Sequence, residues 1–182
     1  TVAGAASIAA ALGGKAGVAV SVGGALASNE IHNKVETTIS GSDVMTRTGN
    51  ISPGDIILDA KTAAAIDAIS AAASVSLAGG LVGVGVSGAG ALSKNEINNQ
   101  TLSHIVDSTI AIAGNLKVTA EDTAKIDGKI IAASVAAAGG AVGVGVALGL
   151  SYVENIIPAT ALTQAKISGG QFTVGGSVTV DA

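Results

Sequence analysis

Side chains able to do acid–base or metal chemistry are few in this chain of 182 residues, and their spacing is poor. His32 and His104 are the two histidines, and they sit at different positions of a repeated pattern described below. Two isolated imidazoles of this kind read as surface residues rather than ligands. Asp55 with Asp59, and Glu121 with Asp122, offer carboxylate pairs of the sort that attract calcium. Their place among turn-forming residues fits solvated carboxylates better. No G-x-S-x-G elbow presents a serine nucleophile. A calcium-binding nonapeptide needs glycine at its fourth position and aspartate at its sixth. In "GGSVTVDA" those places hold Val178 and Val180. "GGKAGVAV" lacks the G-K-[ST] of a phosphate-cradling loop. Without cysteines there is neither a disulfide nor a thiolate metal site. The chain therefore reads as a non-enzyme with no cofactor and no metal.

The elements that would have to position any site are built from small residues. Hydrophobic residues make up 48% of the chain, with Phe172 and Tyr152 as the whole aromatic content and 26 glycines diluting Ala, Val, Ile and Leu. Large aromatics, the usual packing units of a globular core, are missing. So are the stacking platforms of single-strand nucleic-acid binders. A net charge of -4 and a pI near 4.9 without a basic patch argue against a nucleic-acid partner. The uncharged runs from Ala68 to Ser93 and from Ile130 to Val153 are long enough to cross a bilayer as helices. They are rich in Ala, Gly and Ser, neither flank carries a Lys/Arg excess with an aromatic belt, and the valines alternate strictly, so spanning helices are not expected. Thr1 opens directly on repeat-like sequence, as an excised segment or a mature subunit would.

Three phrases align without a gap over 19 positions: "GGKAGVAVSVGGALASN", "GGLVGVGVSGAGALSKN" and "GGAVGVGVALGLSYVEN", each extended to an isoleucine. Gly13/Gly14, Gly79/Gly80 and Gly139/Gly140 coincide, as do Val18, Val84 and Val144, and Val20, Val86 and Val146. Asn29, Asn95 and Asn155 share a column at offsets of 66 and 60 residues. The extra length falls in the connection from Met45 to Ile56. Self-similarity at this period signals a solenoid or an array. Cut in phase, the repeats are residues 1–61, 62–122 and 123–182.

Period two dominates within each phrase. Val142, Val144, Val146, Leu148, Leu150 and Tyr152 fall on one face; Gly143, Gly145, Ala147 and Gly149 fall on the other. A helix would suffer roughly 1 kcal/mol for each glycine, so strands are expected. The glycine pairs Gly13/Gly14, Gly79/Gly80 and Gly139/Gly140 are their expected turns. The glycine face is expected to let two sheets approach closely while valine fills an opposite interior. A flat binding face for ice, chitin or another solenoid is the competing reading. "AAAIDAISAAASVSLA" and "AKIDGKIIAASVAAA" are ambiguous, and short Ala-rich helices remain an alternative there. The apolar parity changes at Asn29, Asn95 and Asn155, which predicts a bulge or corner, since a strand cannot change faces by itself. Identical asparagines in successive coils would also stack their amides into a ladder.

The pattern "AGG-x-VGVGV…N-x-I", followed by "GG-x-V-x-V", resembles the Gly/Val/Ala-rich repeats of giant bacterial filamentous adhesins, including leukotoxin-like and haemagglutinin-like surface proteins. The resemblance covers essentially the whole chain, departing from the pattern at "GSDVMTRTGNISPGDIILDA". It implies an extracellular, bacterial cell-surface location. The expected fold is all-β, a right-handed parallel β-solenoid (β-helix) of three repeats of about 60 residues. Its expected role is a structural stalk or fibre segment, with other copies or flanking repeats stacked head-to-tail and a host-cell or surface polysaccharide as a further partner. The rival readings are a polysaccharide-binding or polysaccharide-acting β-helix and a membrane-inserting assembly.

Overall fold

A computed structural model describes residues 1–45 and 51–182. Among these residues there is no helix, and the strands pair in parallel within stacked sheets. In chain order they are β1 (Val2–Leu12), β2 (Ala16–Ser40), β3 (Asp43–Val44), β4 (Ile56–Thr62), β5 (Ala65–Gly79), β6 (Val82–Val106), β7 (Thr109–Ile112), β8 (Leu116–Asp122), β9 (Lys125–Gly139), β10 (Val142–Ile156), β11 (Leu162–Ser168), β12 (Gln171–Val174) and β13 (Val178–Asp181). The first sheet has the order β1-β5-β9; the others are β3-β7-β12 and β4-β8-β13, together with a sheet in which β6 lies between β2 and both β10 and β11. In every sheet a strand from the middle of the chain has a neighbour on each side. The strands β1 to β4, and β9 to β13, each keep one edge without a partner among the described residues. Paired residues are about one phrase-repeat apart, as in Ile8↔Val75, Leu58↔Val118 and Val180↔Val118.

The Ala-rich segments expected as candidate helices are the strands β5 and β9. Alanine's helix preference is worth less than one kcal/mol per residue over most neighbours. Here each β5 amide is instead committed to a ladder on both sides. Of the long connection from Met45 to Ile56, residues 46–50 lie outside the described residues; Ser52 makes a parallel bridge to Ile112.

The chain forms two compact units, each assembled from three separate segments. One, the alanine unit, comprises Thr1–Asn29, Ile66–Asn95 and Ile126–Ile156. Apart from Ile66 and Asn95 its buried residues are Gly, Ala and Ser, and Ala25, Ala72, Ala89 and Ala91 form the packed cluster. Ser7 and Ser21 hydroxyls meet at 2.7 Å, and Ser74 and Ser87 at 2.6 Å. A Cβ added at Gly85 would lie 3.0 Å from the Ala137 carbonyl oxygen, and one at Gly145 2.9 Å from that of Ala136. A methyl is already tight at these positions, and the larger valine side chain would press further on the opposing strand.

The other, the isoleucine unit, comprises Glu30–Ala65, Glu96–Lys125 and Ile157–Ala182. Its core is conventional: Leu58, Ile105, Ile110, Ile112, Leu116 and Val118 are buried, with Ile39, Val44, Ile56, Ile167 and Val174 against them. Charged residues alternate outward, as in β4, where Leu58 and Ala60 are buried and Asp59 and Lys61 exposed. Burial of such side chains contributes roughly 1.5–3 kcal/mol each.

Candidate functional site: apolar faces and an asparagine row

Asn29, Asn95 and Asn155 are brought together in one row within the alanine unit. Asn29 Nδ2 donates to Asn95 Oδ1 at 2.7 Å, and Asn95 Nδ2 donates to Asn155 Oδ1 at 2.8 Å. The central Asn95 is 0% exposed and also donates to Ser93 Oγ at 3.2 Å. Parallel pairing at a spacing of about 4.8 Å sets identical amides at hydrogen-bonding distance. Gly128 leaves room for the row, since a Cβ there would stand 3.0 Å from both Asn95 Nδ2 and Asn155 Oδ1.

β6 carries no bulge at Asn95. β2 and β6 are each one unbroken strand of 25 residues that includes Asn29 and Asn95, β10 ends at Ile156 just past Asn155, and the inward parity of β6 is kept from Gly83 to Ile105. What changes at the asparagine is which face carries the apolar residues. Before Asn95 the valines point outward and glycine, alanine and serine point inward. Beyond it, Ile97 and Ile105 point inward. The expectation that valine fills an interior is therefore corrected: the close approach of the two sheets excludes it.

The chain turns elsewhere. Gly41 (φ 55°), Asp107 (φ 45°) and Gly169 (φ 68°) adopt the left-handed conformation just after β2, β6 and β11. Gly41 N–H donates to the Val106 carbonyl at 3.0 Å and Asp107 N–H to that of Ser168 at 2.9 Å. This column is hidden in the sequence because Asp replaces Gly in its middle member.

The glycine pairs do lie at strand junctions, but their members are not equivalent. Gly80 and Leu81 link β5 to β6, and Gly140 and Ala141 link β9 to β10, whereas Gly79 and Gly139 are the last residues of β5 and β9. Gly13 N–H donates to the Gly79 carbonyl at 2.9 Å and Gly80 N–H to that of Gly139 at 3.3 Å, so the junctions stack. A side chain on Gly140 would overlap the Gly80 carbonyl. Gly14 departs from this pattern. It lies with Gly13 and Lys15 between β1 and β2, is exposed, and does not share the positive φ of Gly80 and Gly140. A Cβ there would meet nothing within 4 Å. Gly14 thus sits in the bend between β1 and β2, where a side chain has room.

Outward parity gives the alanine unit apolar exteriors. On the sheet of β2, β6 and β10 the columns are Val18/Val84/Val144, Val20/Val86/Val146 and Leu26/Leu92/Tyr152, with Leu26 and Leu150 each 75% exposed. Gly24, Gly88 and Gly90 floor a groove of about 430 Å³ between Val22, Leu26, Leu92, Leu148 and Leu150. The face of β1, β5 and β9 exposes Ile8, Leu12, Ile69, Leu77, Ile131 and Val135. An eleven-residue strand length of roughly 36 Å by three strands about 4.8 Å apart gives about 500 Å² per face. That equals the largest apolar patch of a typical monomer, and such patches are usually interaction sites.

Most of the charged residues belong to the isoleucine unit. An open cleft of about 570 Å³ is lined by Asp59, Lys61, Lys117, Thr119, Glu121 and Asp181. Asp59 accepts from Thr119 Oγ1 at 2.8 Å, which, with Lys61 at 3.5 Å, holds its carboxyl below the usual range. Asp59 and Glu121 together raise Lys61 above the ordinary lysine value. The carboxylates singled out in the sequence are thus engaged with neighbours: Asp55 with Asn115 at 2.6 Å, Asp59 and Glu121 both with Lys61 at 3.5 Å, and Asp122 with Asn99 at 3.1 Å. His104 pairs with Gln164 at 3.0 Å and His32 with Glu30 at 2.5 Å. No protein family, curated protein or solved structure matches the chain. Among the described residues no helix is long and apolar enough to cross a membrane.

Proposed function

We propose that the chain is a structural segment of an extracellular bacterial adhesin or filament: a right-handed parallel β-solenoid of three coils, each about 60 residues long. The observation that supports it is the sheet order. Every middle strand is sandwiched by parallel partners, while the first and last strands of each sheet keep an edge free among the described residues. Such edges template further strands. Further repeats, covalent or from other copies, satisfy them head-to-tail, and a heterologous contact of this kind grows without closing. The mechanism is mechanical: stacked coils share a continuous backbone ladder and resist bending and proteolysis.

The test uses the last strand. The Ser177 carbonyl accepts from the Leu116 N–H at 2.9 Å, so residues 177 and 179 direct their backbone groups to β8 and, by alternation, Val180 directs its own to the free edge. Val180→Pro removes that outward donor and leaves the inner ladder whole. Wild-type chain should form rods by electron microscopy and grow by light scattering with concentration, and the variant should not. A wild-type chain that stays monomeric at millimolar concentration contradicts the reading.

A membrane-inserting assembly is the second reading, supported by the same aliphatic exteriors. Co-sedimentation with neutral lipid vesicles in preference to self-association would favour it.

A further inference from the structure

We propose that Glu30, His32, Glu96 and Asn98 form a divalent-cation site, best suited to Zn²⁺, that staples β2 to β6. Glu30 and His32 are two residues apart on β2, so they share a face; Glu96 and Asn98 repeat that relation on β6, and the two strands are paired. One ligand atom from each of Glu30, His32 and Glu96 lies within 4.8 Å of the other two. His32 Nε2 is already 2.5 Å from Glu30 Oε1. An independent observation comes from Asn98, whose Oδ1 is shut off from solvent and has no hydrogen-bond partner. An amide oxygen in that state is an unsatisfied acceptor, which costs free energy unless something supplies positive charge.

Two carboxylates meet one imidazole in the cluster, with Lys94 two residues before Glu96 on the same face of β6. Two like carboxylates on adjacent paired strands repel. Lys34, the lysine nearest to His32 on β2, is committed to Glu36 at 2.8 Å. Three exposed or half-exposed side chains need only rotamer changes to close onto one ion at about 2.0–2.2 Å. An imidazole, two carboxylates and an amide oxygen make a four-ligand set of the kind zinc takes, whereas calcium asks for six to eight oxygens. Imidazole in the set selects further for zinc over magnesium or calcium. The third sequence repeat has Ile156 and Pro158 in these columns, so the site occurs once per chain. It joins the first part of the chain to the middle, and does not depend on the filament reading.

The chain, stripped with EDTA, is titrated with zinc chloride alone by isothermal calorimetry, and its thermal melt is followed by circular dichroism. One Zn²⁺ should bind per chain and raise the melting temperature. His32→Ala and Glu96→Gln should each weaken binding by at least about tenfold and abolish the rise. His104→Ala, with its imidazole on Gln164, should bind as wild type. Both site variants alter solvent-facing side chains, so unchanged metal-free spectra show that they fold. Binding that survives His32→Ala unchanged, the absence of saturable binding below about 1 mM, or displacement of Zn²⁺ by equimolar Ca²⁺ would overturn the proposal.

Discussion

Replacing Asn95 by Leu keeps the number of side-chain heavy atoms and removes the centre of the amide row. Asn29 Nδ2 then loses its acceptor at 2.7 Å, while Asn155 Oδ1 loses its donor at 2.8 Å. A fully buried polar atom left unpaired costs about 1–3 kcal/mol. Asn29 is only half-buried and Asn155 is exposed, so water recovers part of that penalty. The sum should be about 2–3 kcal/mol, which in a chain of this length lowers the melting temperature by roughly 4–12 °C. Asn98→Leu is the control. Three residues on, that side chain points outward and its Oδ1 makes no hydrogen bond, so the change should cost less than about 1 kcal/mol. Paired thermal and urea melts in metal-free buffer, with unchanged urea slopes, give the comparison. Equal midpoints for the two variants would refute the role given to the row.

Gly85→Val should destabilise the alanine unit by about 3 kcal/mol or more through overpacking, while Val86→Thr, one residue along on the outer face, should cost under about 1 kcal/mol; urea melts of the two reveal which face is inside. Asp107→Gly should stabilise slightly and Asp107→Val should destabilise by about 1–2 kcal/mol, because φ there is 45°; the melting temperatures should rank Gly, Asp, Val. Asp59 and Glu36 are lowered by their hydrogen-bonding and cationic partners, so what they contribute is present above their unfolded values and lost as pH falls through the lower folded ones. Lys61 is raised, so its contribution is present below the ordinary lysine value and lost as pH rises through the higher folded one. All three are exposed, so the melting temperature should change only slightly at both extremes of pH, and 1 M salt should flatten the profile.

Much of this architecture is legible in the chain. Strict alternation from Val142 to Tyr152 gives strands, and the gap-free columns give the parallel partners on which the asparagine row depends. The facing of the alanine unit is not legible by hydrophobicity, which sends valine inward. Sheet spacing decides instead, and it shows only once the Gly85 and Gly145 positions meet opposing carbonyls. The change of apolar parity at Asn95 is real in the sequence, but it marks a change in what lies inside rather than a bulge in β6. Identical glycine pairs also hide unequal roles: Gly140 is pressed against the junction before it, and Gly14 has open space. The left-handed turn at Gly41, Asp107 and Gly169 gives no signal because an aspartate in that conformation looks like any other polar residue. The pairing of Glu30 with Glu96 is visible as a shared column, but nothing marks it as a site, since His32 has no histidine in register with it.

In-register parallel pairing of strands one coil apart is the central claim, and a disulfide tests it most directly because the chain has no cysteine of its own. Ile8 and Val75 are register partners on the outer face of β1 and β5. Cysteines placed at both should oxidise to a bond within one chain, since parallel neighbours about 4.8 Å apart suit disulfide geometry. Ile8→Cys with Ser74→Cys, one residue out of register and on the opposite face, should stay reduced. Rapid oxidation of the first pair alone is the predicted result. Equal yields from both pairs, or none from either, would contradict the stacked parallel fold.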